Sequence, residues 1–243
     1  MTLPLTSPEL HDAFTGTAVA LAGRVSESGH VWGDLNSAFA LDGSGSLIAA
    51  DWAGTGRYAD VHLTDDETCF GMSCVATWGG TSTVITDSSG PVLIAAASPD
   101  RPSTPGSAGI YYNAVHPVFG DWQFGLDIWI EGVGTRLLTY DYPAGGLARD
   151  TPHRMGWELT GIILTIYLPY PVASGPHPAS HVRRYADARW PSFIGPHLIW
   201  QLYNSGHSYN QPRFDSVEAT SAPIPGYVPP PPLPAVLGVD ILA

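Results

Sequence analysis

The sequence predicts an all-β chain folded as an antiparallel sandwich, and three observations carry that prediction. In 122–131, Trp122, Phe124, Leu126, Ile128 and Ile130 fall on every second position, the period of a strand with one dry face. In 155–168, Trp157 and Leu159 run into Thr160-Gly161, after which Ile162, Leu164, Ile166 and Leu168 alternate with Ile163, Thr165 and Tyr167. Two such runs about a tight turn form a hairpin. The 27 glycines and 23 prolines among 243 residues place breaks at short intervals, which suits many short strands. One all-β domain can run to about 200–250 residues, so the length asks for no second core.

The composition narrows the function classes. The net charge is −12, and the ten basic residues are all arginine. So acidic a chain repels phosphate backbones, and nucleic acid is not an expected partner. No apolar run approaches the roughly 18 residues that span a bilayer, so no membrane insertion is expected. The opening Met1-Thr2-Leu3-Pro4-Leu5-Thr6 has neither the basic nor the apolar region of a secretion signal, and cytoplasmic synthesis is the expectation. Cys69 and Cys74 flank Phe-Gly-Met-Ser. Read as a hairpin loop, that tetrapeptide sets the sulfurs opposite each other; a disulfide and two free thiols both stay open. Two cysteines do not make a four-ligand zinc site, and no metal or cofactor is expected.

The elements follow in chain order. Residues 1–10, broken by Pro4 and Pro8, read as an N-terminal arm. Asp12, Phe14, Gly16, Leu21, Gly23, Gly29 and Trp32 come next, spaced as Asp-x-Phe-x-Gly, Leu-x-Gly and Gly-x-x-Trp. In these seven positions the chain resembles the concanavalin A-like (laminin-G-like) jelly rolls. The resemblance implies an antiparallel jelly-roll β-sandwich over 11–220 whose opening strand pairs with its last. In 36–50, Phe39 and Leu41 are split from Leu47-Ile48 by Asp42-Gly-Ser-Gly45, a hairpin with glycines at the turn. In 58–63, Tyr58, Asp60 and His62 alternate with Ala59, Val61 and Leu63, a strand with one apolar side. Asp65-Asp66-Glu67 is a charged turn. Three acids would offer calcium oxygen ligands, but neighbouring acids in a turn are as a rule solvated, and no ion is expected there. Residues 70–78, 81–86 and 92–97 read as short strands, with Asp87-Ser-Ser-Gly90-Pro91 as the turn between the last two. A loop over 99–109 and a strand over 110–115 lead to 122–131, read as the long central strand. Gly132-Val-Gly134 is a turn, and 136–142 the next strand.

The 155–168 hairpin resembles one common late in the same jelly rolls. Prolines in 170–178 then break the sheet. His177 and His181 would share a metal only on a helix, which Pro176 and Pro178 oppose. Residues 183–189 read as a turn or short strand. Leu198, Trp200 and Leu202 alternate in a strand over 196–203, and 213–219 is the closing strand. From Ser221 the chain changes character. Pro223, Pro225, Pro229, Pro230, Pro231, Pro232 and Pro234 impose an extended arm over 221–243, rising about 3.1 Å per residue. It carries Tyr227, Leu233, Val236, Leu237, Ile241 and Leu242. Apolar groups are costly to leave in water. Docking on a neighbouring subunit is the expectation, and folding back onto the sandwich the alternative.

On the 122–131 strand, Gln123, Gly125, Asp127, Trp129 and Glu131 share the polar face. An indole stacks on a sugar ring and carboxylates accept from its hydroxyls, so Asp127, Trp129 and Glu131 are the candidate glycan-binding residues. The same pattern fits an ordinary solvated or half-buried face. Glycoside hydrolases of the resembled class carry Glu-x-Asp-x-x-Glu on one strand. Here Gly125 stands at the first glutamate position and Glu131 falls one residue too late. Asp127 and Glu131 would lie about 13 Å apart, beyond the ~5–9.5 Å of glycosidase carboxylates. No catalytic residue is nominated, and no enzyme is expected. The resemblance extends to domains in tail and surface proteins of bacteriophages that infect high-GC Gram-positive hosts. It implies a non-enzymatic virion structural protein made in the host cytoplasm, a minor tail protein before a capsid decoration protein. Its expected partners are other virion proteins and a host cell-wall glycan. A polysaccharide-degrading enzyme of the same class is the rival reading.

Overall fold

The computed structural model describes residues 9–34, 39–49, 57–64, 67–78, 89–96, 108–115, 123–130, 133–141, 150–204 and 212–223. These hold the strands β1 (Leu10–Asp12), β2 (Gly33–Asp34), β3 (Phe39–Leu41), β4 (Leu47–Ala49), β5 (Arg57–His62), β6 (Glu67–Trp78), β7 (Ser89–Ala96), β8 (Ala108–Val115), β9 (Gln123–Ile130), β10 (Val133–Asp141), β11 (Pro152–Thr160), β12 (Ile163–Pro171), β13 (Val182–Ala186), β14 (His197–Asn204) and β15 (Pro212–Pro223). One sheet runs β13-β12-β11-β6-β15-β4-β3, with β1 also on β15; the other runs β10-β9-β8-β7-β14-β5-β2. All the pairings are antiparallel. No helix among the described residues is long and apolar enough to cross a membrane.

One core lies between the sheets. Leu47, Met72, Trp157, Leu164, Ile166, Phe214 and Val217 from the first meet Ala59, Val61, Leu93, Ala95, Leu198, Trp200 and Leu202 from the second. The period-2 rows read in 58–63, 155–168 and 196–203 therefore form this interface. Each fully buried Leu, Ile, Val, Phe or Met among them contributes about 1.5–3 kcal/mol. The Phe39–Leu41 and Leu47–Ala49 hairpin is present. The opening strand pairs with the closing one, Leu10 opposite Ala219 and Asp12 opposite Val217.

The segment that follows β1 is held by a charge inside the core. Asp12 is fully buried. Its Oδ1 accepts from the Phe14 N–H at 2.8 Å. Its Oδ2 accepts from Trp32 Nε1 at 2.8 Å and pairs with the Arg24 guanidinium. Phe14, at φ +53°, sits in a conformation that costs a non-glycine residue roughly 1–2 kcal/mol. The Asp12 bond and complete burial of its ring offset that strain. Trp32 packs against Phe14 at 5.8 Å and edge-on against Trp200 of β14 at 5.3 Å. The seven-position motif is thus a clasp: β1 supplies the carboxylate, and the tryptophan it holds reaches the opposite sheet.

Several expectations are corrected. The 122–131 strand is not central: β9 lies one place from the edge, beside β10, while β6 and β15 occupy the middle of the other sheet. Ser89, Gly90 and Pro91 belong to β7 rather than to a turn, paired with Asn204, Tyr203 and Leu202. The cysteines flank no hairpin. Both lie on β6, buried as free thiols, about 16 Å apart on an extended strand, far beyond the 4.4–6.8 Å Cα separation of a disulfide. Within the tetrapeptide between them Gly71 sits at a register shift: it faces Thr220, Cys69 faces Ser221, and Phe70 is the extra residue. Such a bulge re-aims the strand, and Cys69, Met72 and Cys74 all enter the core. The late hairpin turns one residue further on than read. Thr160 pairs with Ile163, Gly161 at φ +59° takes the first turn position where glycine is favoured, and Ile162 is half exposed. The expected strand at 81–86 and most of the 99–109 loop lie outside the described residues.

Replacing Asp12 with Ala leaves the Arg24 charge, the Trp32 N–H and the Phe14 N–H without their acceptor, so chemical denaturation should show a loss of about 3–5 kcal/mol.

Candidate functional site

The outer face of the seven-stranded sheet is built by the alternation that fills the core. In β5, β7 and β14 the inward residues are Ala59, Val61, Leu93, Ala95, Leu198, Trp200 and Leu202. Register carries the rows across. Leu93 is opposite Tyr112 and Tyr112 opposite Leu126; Ala95 is opposite Ile110 and Ile110 opposite Ile128. Leu126 and Ile128 therefore stand on the inward rows, as their spacing predicts. The intervening residues make three outer rows. The first runs Gly134, Trp129, Gly109, Ala96, His197, His62; the second Arg136, Asp127, Tyr111, Ile94, Ile199, Asp60, Gly33; the third Thr139, Gly125, Asn113, Val92, Gln201, Tyr58.

Two of the three candidate glycan residues are placed by this register. Asp127 and Trp129 share the outer face of β9, Asp127 opposite Arg136 on one side and Tyr111 on the other. Glu131 lies outside the described residues. So do Asp65, Asp66 and the arm residues Tyr227, Leu233, Val236, Leu237, Ile241 and Leu242. Glu67 opens β6, where its Oε2 accepts from Thr64 Oγ1 at 2.7 Å.

The middle of the outer face is not a wet surface: Ile94, Ile199 and Gln201 are buried. Towards β5 the face opens, with Tyr58 and Asp60 half-buried and His62 exposed. The Asp60 carboxyl lies over Gly33, where a Cβ would meet its Oδ1 at 2.5 Å. Among the described residues that oxygen, which is buried, has no hydrogen-bond partner. Burial, and then the charge of Asp34, raise the Asp60 pKa above the usual carboxylate value. Beside it, His62 Nδ1 and His197 Nδ1 stand 3.0 Å apart. Sequence reading placed His62 on this side of its strand but missed its pairing with His197, a residue 135 positions away.

The other histidine pair does not form a metal centre. His177 is buried, and its Nε2 donates to the Arg154 and Leu168 carbonyls at 3.1 and 3.0 Å. Burial lowers its pKa, so it acts as a neutral pin between the 171–181 segment and the sheet. His181 faces Ser180 and the Tyr170 ring instead. No group of three or more His, Cys, Asp or Glu side chains among the described residues gathers as a metal site.

No protein-family model matches this sequence, and no curated protein matches it. Solved structures do match. The CBM2 module of the evolved Dit of Lactobacillus casei BL23 phage J-1 is 10% identical with a TM-score of 0.53, over 88% of this chain and 94% of that one. A lectin from Bauhinia forficata in complex with GalNAc is 13% identical with a TM-score of 0.53, over 85% and 98%. The exoplasmic/lumenal domain of VIP36 in its Ca2+/Man2-bound form is 11% identical with a TM-score of 0.56, over 91% and 90%. The fold is a concanavalin A-like jelly roll. The likeness is one of fold. It agrees with the resemblance drawn from Asp12 to Trp32 and with the opening and closing strands side by side, and its members here include a lectin and a module of a phage Dit.

Within the jelly roll, burial and the charge of Asp34 make ionisation of the Asp60 carboxyl costly. A carboxyl whose folded pKa is raised stabilises the fold most when protonated and loses that stability as pH rises from the unfolded value through the folded one. Asp60→Asn should therefore raise the melting temperature at pH 7, and the gain should fade as pH drops to about 4, near the ordinary carboxylate range, in thermal melts of both proteins.

Proposed function

We propose that the protein is a non-enzymatic virion structural protein, a phage minor tail protein, whose lectin-like sandwich contacts host cell-surface glycans. The observation that carries this reading is the placement of Asp127 and Trp129 on one outer row pair of a sheet whose fold is shared with lectins. An indole and a carboxylate two residues apart on a strand present a stacking surface beside a hydrogen-bond acceptor, which is what a sugar ring with its hydroxyls needs. Likeness to a module of a phage Dit supports the virion setting. Gly125, at the first position of the hydrolase pattern, supports binding without turnover.

In this reading the segments before β1 and after β15 are arms on the sandwich; the bounds 1–10 and 221–243 read from the sequence overlap it, since Leu10 opens β1 and 221–223 close β15. The C-terminal arm docks its apolar residues, Tyr227, Leu233, Val236, Leu237, Ile241 and Leu242, on neighbouring virion subunits. Because β15 runs to Pro223, the segment free to reach a partner begins after it.

Replacing Asp127 and Trp129 together with Ala should lower retention on host cell walls at least tenfold, with the melting temperature unchanged. Equal retention of wild type and variant would remove the glycan reading, and release of sugar ends from those walls would replace it with an enzymatic one. Deleting residues 224–243 should leave thermal unfolding intact yet stop incorporation into particles. Particles that take up the shortened chain at the normal level would refute the docking arm.

A further inference from the structure

His62 and His197 belong to the outer face, but the glycan reading makes no use of them. They stand opposite each other on β5 and β14. The Leu63 N–H donates to the Pro196 carbonyl at 2.8 Å, which makes Leu63 and Pro196 the hydrogen-bonded pair of the ladder. The alternation of an antiparallel pair then makes His62–His197 a narrow pair, with Cα atoms about 4.5 Å apart and side chains at their closest. The rings meet at 4.4 Å with a 40° tilt, and the two Nδ1 atoms at 3.0 Å. Two like imidazole nitrogens in contact require unlike tautomers, one donating and one accepting. With the proton of the donating ring moved to its Nε2, the same two atoms, 3.0 Å apart, become a pair of imidazole ligands.

We propose that His62 and His197 form a cross-strand chelate for a divalent late first-row metal ion, bound through both Nδ1 atoms, with Cu2+ or Ni2+ preferred to Zn2+. Metal–imidazole bonds run about 2.0–2.1 Å, so two of them spanning the 3.0 Å separation close an N–M–N angle of about 95°. That angle fits tetragonal Cu2+ or Ni2+ better than tetrahedral Zn2+, and imidazole affinity peaks at Cu2+. On binding, the Nδ1–H of one ring gives way to a tautomer with its proton on Nε2, so both neutral rings offer Nδ1 lone pairs and two N–M bonds replace one hydrogen bond. The strands already fix both Cβ positions, so little side-chain freedom is lost. His62 is exposed and His197 half-buried, which leaves the ion open to water at its remaining positions. The net charge of −12 favours cation approach. The chelate stands independently of the glycan reading.

The test is titration of the full chain with CuCl2, NiCl2 and ZnCl2 by calorimetry in a weakly coordinating buffer, with electron paramagnetic resonance of the Cu2+-loaded protein. The expected result is one Cu2+ site whose spectrum shows two nitrogen ligands, with Zn2+ at least tenfold weaker. His62→Ala and His197→Ala should each weaken Cu2+ binding at least tenfold, and the double variant no more than either alone. His30→Ala, whose ring bonds to Ser28 in the loop after β1, should bind as wild type. Circular dichroism checks folding, and His62→Gln with His197→Gln takes the place of any alanine variant that fails to fold. Wild-type affinity in either single variant, a Cu2+ spectrum without two nitrogens, or Zn2+ bound more tightly than Cu2+ would overturn the proposal.

Discussion

The constraint on which the sandwich depends is the buried carboxylate of Asp12. A charge in an apolar core is tolerated only when it is paired and its remaining oxygens are bonded, and here Arg24, Trp32 and the Phe14 backbone meet that demand together. Each partner comes from a different point of the loop between β1 and β2. The loop can therefore follow one path, and that path delivers Trp32 against Trp200 of the opposite sheet. Apolar burial supplies most of the favourable energy, but an apolar contact has little direction. The carboxylate adds direction, and it does so at the joint between the sheets.

What was legible in the sequence follows from this division of labour. Strands with one dry face announced themselves, because alternation of side chains is a local property: Ala59 and Val61 in β5 with Leu63 just after it, and Leu198, Trp200 and Leu202 in β14, are buried as their spacing requires. β6 was misread at Cys69–Cys74 because a bulge puts Cys69 and Cys74, an odd number of residues apart, on the same side. The tetrapeptide read as a loop instead carries a register shift within the strand. At Pro91 a turn-forming residue lies within a strand, against Leu202. Contacts set by long-range register were out of reach. Nothing local ties His62 to His197, and nothing in the seven-position motif names Arg24 as the counter-ion of Asp12.

The same logic frames the candidate face. Rows of a sheet alternate between core and surface, so the placement of Asp127 and Trp129 follows from where Leu126 and Ile128 must go. Yet the face is not uniform. Ile94, Ile199 and Gln201 are buried near its middle, while Asp60 and His62 lie towards β5. Recognition and ion binding would thus use different ends of one surface, separated by strands whose two sides are both packed.

The pairing of β1 with β15 has a geometric consequence. Glu9 donates its N–H to the Ala219 carbonyl and accepts from Ser221 Oγ through its side chain, so the chain enters the fold beside the strand by which it leaves. From Ala219 to Pro223 the exit is about 13 Å further along that strand. A unit whose entry and exit are neighbours can be spliced into a surface loop of a larger polypeptide without prising apart the flanks of its host. The jelly roll is therefore suited to be carried as an insert, with β1 and the end of β15 side by side at one root.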